Sequence, residues 1–332
     1  MMQVMFLIPH PDRASSRLRV LNAVPALHQM GFNTVVRMFP QDRNVAGFLR
    51  LLLDVKRVDV VLLQKKIHFA QWKKLALRRL ARRIVFDYDD AVMFVELTQG
   101  RGLTGHNLVH FCSVMELSDV VIAGNPFLAD FAIANGKPVH ILPTPVDLSR
   151  YSGKSTPLDG KPGVFRVGWV GSRGNLSELE TVASSLRRLS RERSVELCVI
   201  CDETVEMQGV DVRWLRWSLE EEYSHIDVID VGIMPMAGDD LWRRGKCAFK
   251  LLQYMARGKP VVASGVGFNR VVVTHGVNGF LAESSEQFYD FLHYLASDPD
   301  EARRMGERGA HRVAQEYMLE RYVQRLARIL VG

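Results

Sequence analysis

Residues 243–264, RRGKCAFKLLQYMARGKPVVAS, contain a helical period followed by a β-branched run. Apolar residues recur at helical spacing from about Lys246 to Arg257. Gly258 is a typical helix stop, and Pro260 opens the next strand. The apolar stripe of this helix consists of Ala248, Leu251, Leu252 and Met255. An amphipathic helix that leads directly into a buried strand is typical of a parallel sheet with crossover helices.

The same alternation of β-branched runs and helical periods continues along the chain in both directions. The runs that predict strands in the first half are 3–8, 33–38, 58–63, 83–87, 119–124 and 138–142. Those in the second half are 164–170, 195–201, 212–217, 228–234 and 260–264. We therefore predict an α/β protein with two Rossmann-like doubly wound domains that face each other across a cleft, with ligands at the carboxyl ends of the strands.

Prolines and glycines crowd residues 143–163 without a regular period, which predicts a linker between the two domains. The predicted N-terminal domain covers residues 1–150, the linker 151–163 and the C-terminal domain 164–310. Residues 311–332 form a predicted C-terminal helix that packs back on the N-terminal domain.

The composition is that of an ordinary globular protein. The 332 residues are 47% hydrophobic and 9% aromatic with a net charge of +6, which excludes a disordered or low-complexity chain. No apolar run approaches the length of a membrane span, and the segment MMQVMFLIPHPDR has neither a basic region nor a cleavage site, so we expect a cytoplasmic protein. Cys198 and Cys201 stand on opposite faces of a predicted strand, so we predict no metal site there.

Several cations lie at the predicted start of the helix in residues 243–264. Arg243, Arg244 and Lys246 crowd a helix N-terminus, where the helix dipole disfavours positive charge. The arrangement favours a bound anion, because backbone N–H groups and cations would then converge on a phosphate. The predicted polar face of the helix consists of Lys246, Lys250, Gln253 and Arg257. A solvated basic turn is the alternative.

A second phosphate site is predicted in residues 168–180, GWVGSRGNLSELE. A strand ends at Val170 and a helix begins near Asn175 or Ser177. The turn between them consists of Gly171, Ser172, Arg173 and Gly174. Glycines allow the backbone to approach a ligand, and a helix N-terminus favours phosphate, although many such turns carry Gly and Ser for steric reasons only.

Acidic and basic residues also follow the strands of the first half. Asp87, Asp89 and Asp90 of FDYDD end a predicted strand, which favours a polar or catalytic role at the cleft. The D-x-D spacing could instead hold a divalent metal, and the acids could pair with arginines or cap the next turn. Arg17 and Arg19, in a helix that begins near residues 15–16 and ends before residue 31, are further candidates for anion binding.

The motifs occur in a characteristic order. In the first half they are R-x-R after the first strand, FDYDD, SDVVIAGNPFLADFA (118–132) and LPTPVD (142–147). In the second half they are GWVGS, VGIMPM (231–236), residues 245–264 and GVNGFLAE (276–283). As a set they resemble a retaining glycosyltransferase of the two-lobed GT-B class, the family-4-like (group 1) enzymes that use sugar nucleotides. Many relatives carry two glutamates that contact the sugar and the ribose; Gly245 and Gln253 stand there, so the chain resembles a divergent branch.

The resemblance implies an acceptor domain over residues 1–150 and a nucleotide-sugar (donor) domain over residues 164–310. The enzyme would move a hexosyl or deoxyhexosyl group from a nucleotide-sugar donor to a carbohydrate or lipid-linked acceptor, in cell-surface polysaccharide or glycolipid synthesis. Retention of configuration is implied, with no essential metal and no cofactor beyond the donor substrate. Asp89 or Asp90 is expected near the acceptor. The expected donor-binding set consists of Arg17, Gly171, Ser172, Arg173, Arg243, Arg244, Lys246 and Lys250, of which Arg173, Lys246 and Lys250 would stabilise the leaving diphosphate.

Other functions remain open at this point. A two-lobed sugar-nucleotide epimerase or a phosphorylase would share the architecture, although an epimerase would be expected to show acid–base carboxylates in both lobes. The absent glutamates also suit a non-catalytic nucleotide-sugar-binding protein. Nucleic-acid binding is disfavoured, because the basic residues occupy one helix without an interleaved aromatic platform.

Residues 65–83 contain eight Lys or Arg and no acid. We predict that the helix over 67–83 docks on the anionic inner face of a membrane, near a lipid-linked acceptor, with Trp72 at the headgroup boundary. Its predicted membrane-facing cations are Lys73, Lys74, Arg78, Arg82 and Arg83. A solvated face of the first domain is an equal alternative.

Overall fold

The computed structural model describes residues 1–41, 43–94, 105–151 and 163–332, with side chains from residue 107 in the third range. The chain divides into two units. The first unit consists of Met1–Pro145, Asp240–Cys247 and Leu319–Gly332, and the second of Val146–Asp239 and Ala248–Met318. The predicted linker lies almost entirely outside the described residues. The C-terminal domain over 164–310 stays a prediction, and within that range Asp240–Cys247 groups with the first unit.

Each unit contains a parallel sheet. The strands are β1 (Gln3–Ile8), β2 (Asn33–Met38), β3 (Val60–Gln64), β4 (Arg83–Tyr88), β5 (Val120–Ala123), β6 (Val139–Ile141), β7 (Phe165–Val170), β8 (Val195–Cys201), β9 (Asp211–Arg216), β10 (Val231–Met234), β11 (Val261–Ser264) and β12 (Gly279–Ala282). Their orders are β2-β1-β3-β4-β5-β6 in the first unit and β12-β11-β10-β7-β8-β9 in the second. The predicted pair of doubly wound α/β sheets is confirmed.

Helices connect the strands. They are α1 (Ala14–Ser16), α2 (Val24–Gln29), α3 (Val45–Val55), α4 (Gln71–Leu80), α5 (Gly105–Leu117), α6 (Pro126–Ala134), α7 (Ala183–Glu192), α8 (Glu222–Asp227), α9 (Leu241–Arg244), α10 (Phe249–Ala256), α11 (Asn269–Val272), α12 (Ser285–Ser297), α13 (Pro299–Glu316) and α14 (Leu319–Val331). Among the described residues, no helix combines the length and the apolar character that crossing a bilayer requires.

Alternation along the strands builds the cores. In β1, Met5 packs with Phe48 of α3 and Leu77 of α4, while Phe6 packs on the other face with Leu326 of α14. Helices therefore cover both faces of the first sheet. In β8, Cys198 and Cys201 pack in different clusters, as expected for opposite faces of one strand.

Several predicted helices have different bounds in the structure. The basic helix expected over 67–83 is α4, Gln71–Leu80. The helix expected from residues 15–16 to Gly31 is divided into α1, a π-helical turn over Arg17–Leu21 and α2. Pro25 lies in the first turn of α2, where its missing N–H costs nothing, whereas a continuous helix would lose a hydrogen bond there. The helix expected from Lys246 begins at Phe249, after Ala248 in a left-handed conformation.

Candidate functional site

In the first unit, Lys65, Asp89 and Asp90 form an acid–lysine cluster where two strands end. Lys65 follows β3 and the two acids follow β4, and parallel pairing brings these ends to one edge of the sheet. The Lys65 ammonium lies 3.1 Å from an oxygen of Asp89 and also pairs with Asp90. Lys65 has a φ of 54°, a strained conformation that persists where its surroundings enforce it and that is common at functional sites.

The two acids of the cluster differ in environment. Asp89 is buried, and although burial favours its protonated form, the charges of Lys65 and Arg19 outweigh this and lower the pKa of its carboxyl. Asp90 is half-buried. Its partial burial raises the pKa of its carboxyl, against the opposing charge of Lys65. Asp90 is therefore the more accessible carboxylate, and Asp89 is held as an anion beside it.

Asp87 is bound inside the first unit by Arg19. The Arg19 side chain is fully buried, and its Nε donates to Asp87 Oδ2 at 3.0 Å while a second guanidinium nitrogen pairs with Oδ1. A further hydrogen bond from Arg19 reaches the carbonyl oxygen of Leu142 at 2.8 Å. Of the alternatives for FDYDD, pairing with an arginine therefore applies to Asp87, and Arg19 is engaged by a carboxylate of its own unit rather than open to an anion.

The segment Asp240–Cys247 is fastened to the same edge of the first sheet. Asn125 Oδ1 accepts the backbone N–H of Leu128 at the start of α6, while Asn125 Nδ2 donates to the carbonyl oxygens of Gly245 and Lys246 at 3.1 and 3.2 Å. The buried Cys247 thiol donates to the Asp89 carbonyl oxygen at 3.0 Å. A long-range contact thus fixes the chain just before α10.

Gly245 is closely packed against Ala91. A Cβ placed on Gly245 would overlap the side chain of Ala91 and lie 3.0 Å from its backbone nitrogen. The overlap with the Ala91 Cβ is closer than real Cβ contacts, and Ala91 has no flexible side chain that could move aside. A side chain at position 245 would therefore require Ala91 to shift.

The cations predicted to crowd the N-terminus of α10, over residues 243–246, do not lie there in the structure. Arg243 and Arg244 lie in α9 rather than at the N-terminus of α10, and the buried Arg243 pairs with Asp240, whose side chain caps α9. Lys246 belongs to the first unit, where its positive charge favours the ionised form of Asp90 and opposes the rise in the pKa of that carboxyl. Arg17, also in the first unit, donates to the Asp12 carbonyl oxygen.

In the second unit, Gly171 and Lys250 come together beside Trp169 at the carboxyl end of β7. The Lys250 ammonium, from the first turn of α10, lies 4.1 Å from the centre of the Trp169 ring. A Cβ on Gly171 would overlap that ring and would lie 2.8 Å from Lys250 Nζ. Only glycine therefore allows Trp169 and the Lys250 ammonium to pack directly against this backbone, whose Gly171 N–H donates to the Ile200 carbonyl oxygen at 3.0 Å. The Lys250 cation stands at the sheet edge where α/β proteins bind their ligands, and a cation there is suited to a phosphate.

Ser172 and Arg173 continue from Gly171. Ser172 precedes a 3₁₀ helix, Arg173–Val182, where we had predicted an α-helix from residue 175 or 177. The backbone N–H of Arg173 donates to Asp202 Oδ1 at 3.0 Å, and its guanidinium, 75% exposed, lies 3.2 Å from Glu203. A ligand that used Arg173 would compete with an exposed ion pair, which costs little to break.

Gln253 was predicted on the polar face of the helix, but it is buried. Its amide donates to Glu222 Oε1 at 2.6 Å, and Trp217 Nε1 donates to Glu222 Oε2 at 2.5 Å. The buried carboxylate of Glu222 was missed by the sequence reasoning, because its only signal is an acidic run after β9. Arg257, also expected on that face, pairs with Asp227 at 2.5 Å.

The cations of residues 65–83 are less exposed to solvent and more often paired than the sequence predicts. Lys73 and Lys74 are buried, with their ammonium groups over the rings of Phe48 and Phe69 at 5.1 and 5.4 Å. The other predicted membrane-facing cations are engaged as follows: Arg78 with Asp119, Arg82 with Asp59, and Arg83 with the Leu330 carbonyl oxygen. The prediction that these five cations face a membrane is therefore wrong for Lys73 and Lys74.

No group of three metal-ligating side chains occurs within the described ranges. A cavity of about 450 Å³ in the second unit lies at the amino ends of β7 and β11, beside Phe165 and Pro260. It is at the opposite sheet edge from Gly171, where α/β proteins do not bind their substrates.

Comparison with known proteins agrees with this architecture. Residues 164–298 match the family model described as "Glycosyl transferases group 1". The match covers less than half of the chain. A stretch of 76 residues is 28% identical to trehalose synthase of Pyrococcus horikoshii, and it covers 23% of this chain and 18% of that protein's length.

Solved structures with the same fold cover nearly the whole chain. Sucrose-phosphate synthase from Thermosynechococcus elongatus has a TM-score of 0.75 at 14% identity, over 99% of this chain and 98% of its own. HepE of Anabaena, solved in complex with UDP-glucose, has a TM-score of 0.71 at 15% identity over both complete chains. A glycosyltransferase from Rickettsia africae has a TM-score of 0.74 at 11% identity, over 99% of this chain and 97% of its own. The fold of the chain is therefore GT-B-like.

Proposed function

We propose that this protein is a nucleotide-sugar-dependent glycosyltransferase that moves a hexosyl group to a carbohydrate or lipid-linked acceptor. The observation that carries the proposal is the match of residues 164–298 to the group 1 glycosyltransferase model, with Gly171 and Lys250 at the carboxyl end of strand β7 in that region. Parallel α/β sheets bind ligands at that end of their strands.

The second unit would hold the donor. Lys250 and the backbone beside Gly171 would bind the diphosphate, and Arg173 would join them by releasing Glu203. As the glycosidic bond breaks, negative charge grows on the leaving diphosphate, and fixed cations and N–H groups stabilise that charge. HepE is solved with UDP-glucose, so UDP-glucose is the first donor to test.

The first unit would bind the acceptor. Asp90 would accept a hydrogen bond from the acceptor hydroxyl, with Asp89 and Lys65 as positioning residues that fix its carboxylate. Lys246 acts on Asp90 within the first unit, so its assignment to the diphosphate rests on the sequence alone. Transfer with retention and without a metal, and a role in cell-surface polysaccharide or glycolipid synthesis, are part of the proposal.

A nucleotide-sugar screen tests the proposal. Thermal unfolding is followed with UDP-, GDP-, ADP- and dTDP-sugars, because a bound ligand raises the melting temperature with its concentration relative to its Kd. The donor that binds should then be consumed in the presence of acceptor, or slowly by water. Binding without any turnover would favour the non-catalytic alternative, and conversion to an isomeric sugar nucleotide would favour the epimerase.

A further inference from the structure

Two neighbouring helices of the first unit expose apolar side chains. On α3, Val45, Leu49 and Leu53 recur every four residues and therefore form one stripe. On α4, Trp72 and Leu75 share a face with Arg79, at spacings of three and four. The five apolar side chains are 45–61% exposed, whereas core residues of the same helices are almost fully buried.

Contacts on the flanks show that the two stripes adjoin. Asp54 of α3 pairs with Arg37 of β2, the edge strand of the first sheet, at 3.5 Å. The flank of α3 that carries Asp54 therefore lies toward β2, and the opposite flank lies away from that edge. On α4, Lys74 contacts Ser113 of α5, which leaves the other flank of α4 toward α3. There the Trp72 ring packs edge-on against Phe48 of α3, with 5.4 Å between ring centres. We call the surface formed by Val45, Leu49, Leu53, Trp72 and Leu75 the α3–α4 face.

The α3–α4 face is bordered by positive charge. Arg50, Arg57 and Arg79 are exposed, and none of them takes part in an ion pair among the described residues. The acids nearest in sequence, Asp54 and Asp59, are already paired with other arginines. An apolar surface with a tryptophan and a cationic border has the composition of a helix that lies in the interface of a bilayer.

We propose that the α3–α4 face docks on a bilayer that contains anionic phospholipid. The leucines and Trp72 would enter the headgroup–acyl boundary, while the arginines reach the phosphates along their aliphatic stems. A second copy of the chain is a poorer occupant, because in a twofold contact the same patch would meet itself and the arginines that border it would repel those of the other copy. The proposal does not rest on glycosyl transfer, since vesicle binding requires no catalysis.

Vesicle flotation tests the proposal with the full chain. Vesicles of phosphatidylcholine alone are compared with vesicles that also contain phosphatidylglycerol. Each cation near an anionic surface contributes about fivefold in partition coefficient, so R50Q/R79Q should lower binding to the mixed vesicles about 30-fold. The matched control R191Q/R216Q removes two exposed arginines from the second unit and should leave binding nearly unchanged, because charge effects are screened over roughly 8–10 Å.

The apolar component has its own variant. L49S/L53S should lower binding about tenfold or more, with an unchanged melting temperature, because both side chains are already largely in water. Equal losses in R50Q/R79Q and R191Q/R216Q would mean attraction by net charge alone and would overturn the proposal. Absence of vesicle binding by the wild type would overturn it, and so would a wild-type dimer that L49S/L53S dissociates, since the face would then be a protein interface.

Discussion

Replacement of Lys250 by Met tests the donor site most directly. The Lys250 ammonium lies 4.1 Å from the Trp169 ring centre and beside the backbone of Gly171. Methionine keeps an aliphatic chain over the ring and removes only the charge. A hydrogen bond to a charged group contributes about 1.5–3 kcal/mol, so the Kd for UDP should rise roughly 10- to 150-fold in titration calorimetry.

The same change also removes a cation–π contact, which contributes about 0.5–2 kcal/mol to stability. A lowered melting temperature without weaker binding would mean that Lys250 is only structural. The matched control is Lys259→Met, also in the second unit. The Lys259 ammonium donates to the Asp227 carbonyl oxygen at 2.8 Å, beside the amino end of β11, so UDP affinity should not change. Wild-type affinity in Lys250→Met, or equal losses in both variants, would refute the reasoning.

Three further predictions concern two residues of the first unit and the proposed metal-independent transfer. Lys246→Ala should weaken UDP binding by about 1.5–3 kcal/mol, because the sequence assigns Lys246 to the diphosphate. An unchanged Kd for UDP in titration calorimetry would mean that Lys246 acts only on Asp90 and does not bind the donor. Turnover should survive EDTA, and a loss that Mn²⁺ or Mg²⁺ restores would contradict a metal-independent mechanism. Asp87→Asn should lower the free energy of unfolding by about 3–5 kcal/mol in urea, because it leaves the buried Arg19 charge uncompensated; a smaller change would mean that water or another group replaces the carboxylate.

Most of the fold could be predicted from the sequence, for a physical reason. Strands of a parallel sheet are buried on both faces and therefore appear as continuous β-branched runs. Such runs identified β1, β7 and β8 within a residue of their observed bounds. β12 was missed because its four residues, GFLA, begin with glycine and are too few to show a pattern.

The site was harder to predict, because its geometry depends on contacts distant in sequence. No residue close to Cys247 in the sequence indicates that its thiol donates to the Asp89 carbonyl oxygen. The next residue, Ala248, has a left-handed conformation, so α10 begins at Phe249 rather than at Lys246. Lys73 appeared to be a surface cation, although its ammonium lies over the Phe48 ring. Glu222 belongs to no motif, and its partners Trp217 and Gln253 lie on two other elements.

The return of the chain to the first unit has a consequence for biosynthesis. Leu326 and Leu330 of α14 complete the apolar core on one face of the first sheet, and the Tyr322 hydroxyl donates to the Arg19 carbonyl oxygen at 2.9 Å. During translation this face therefore stays uncovered until α14 has left the ribosome, which happens only after the whole second unit has been synthesised. We therefore expect a fragment that stops at residue 145 to keep this apolar face exposed and to aggregate.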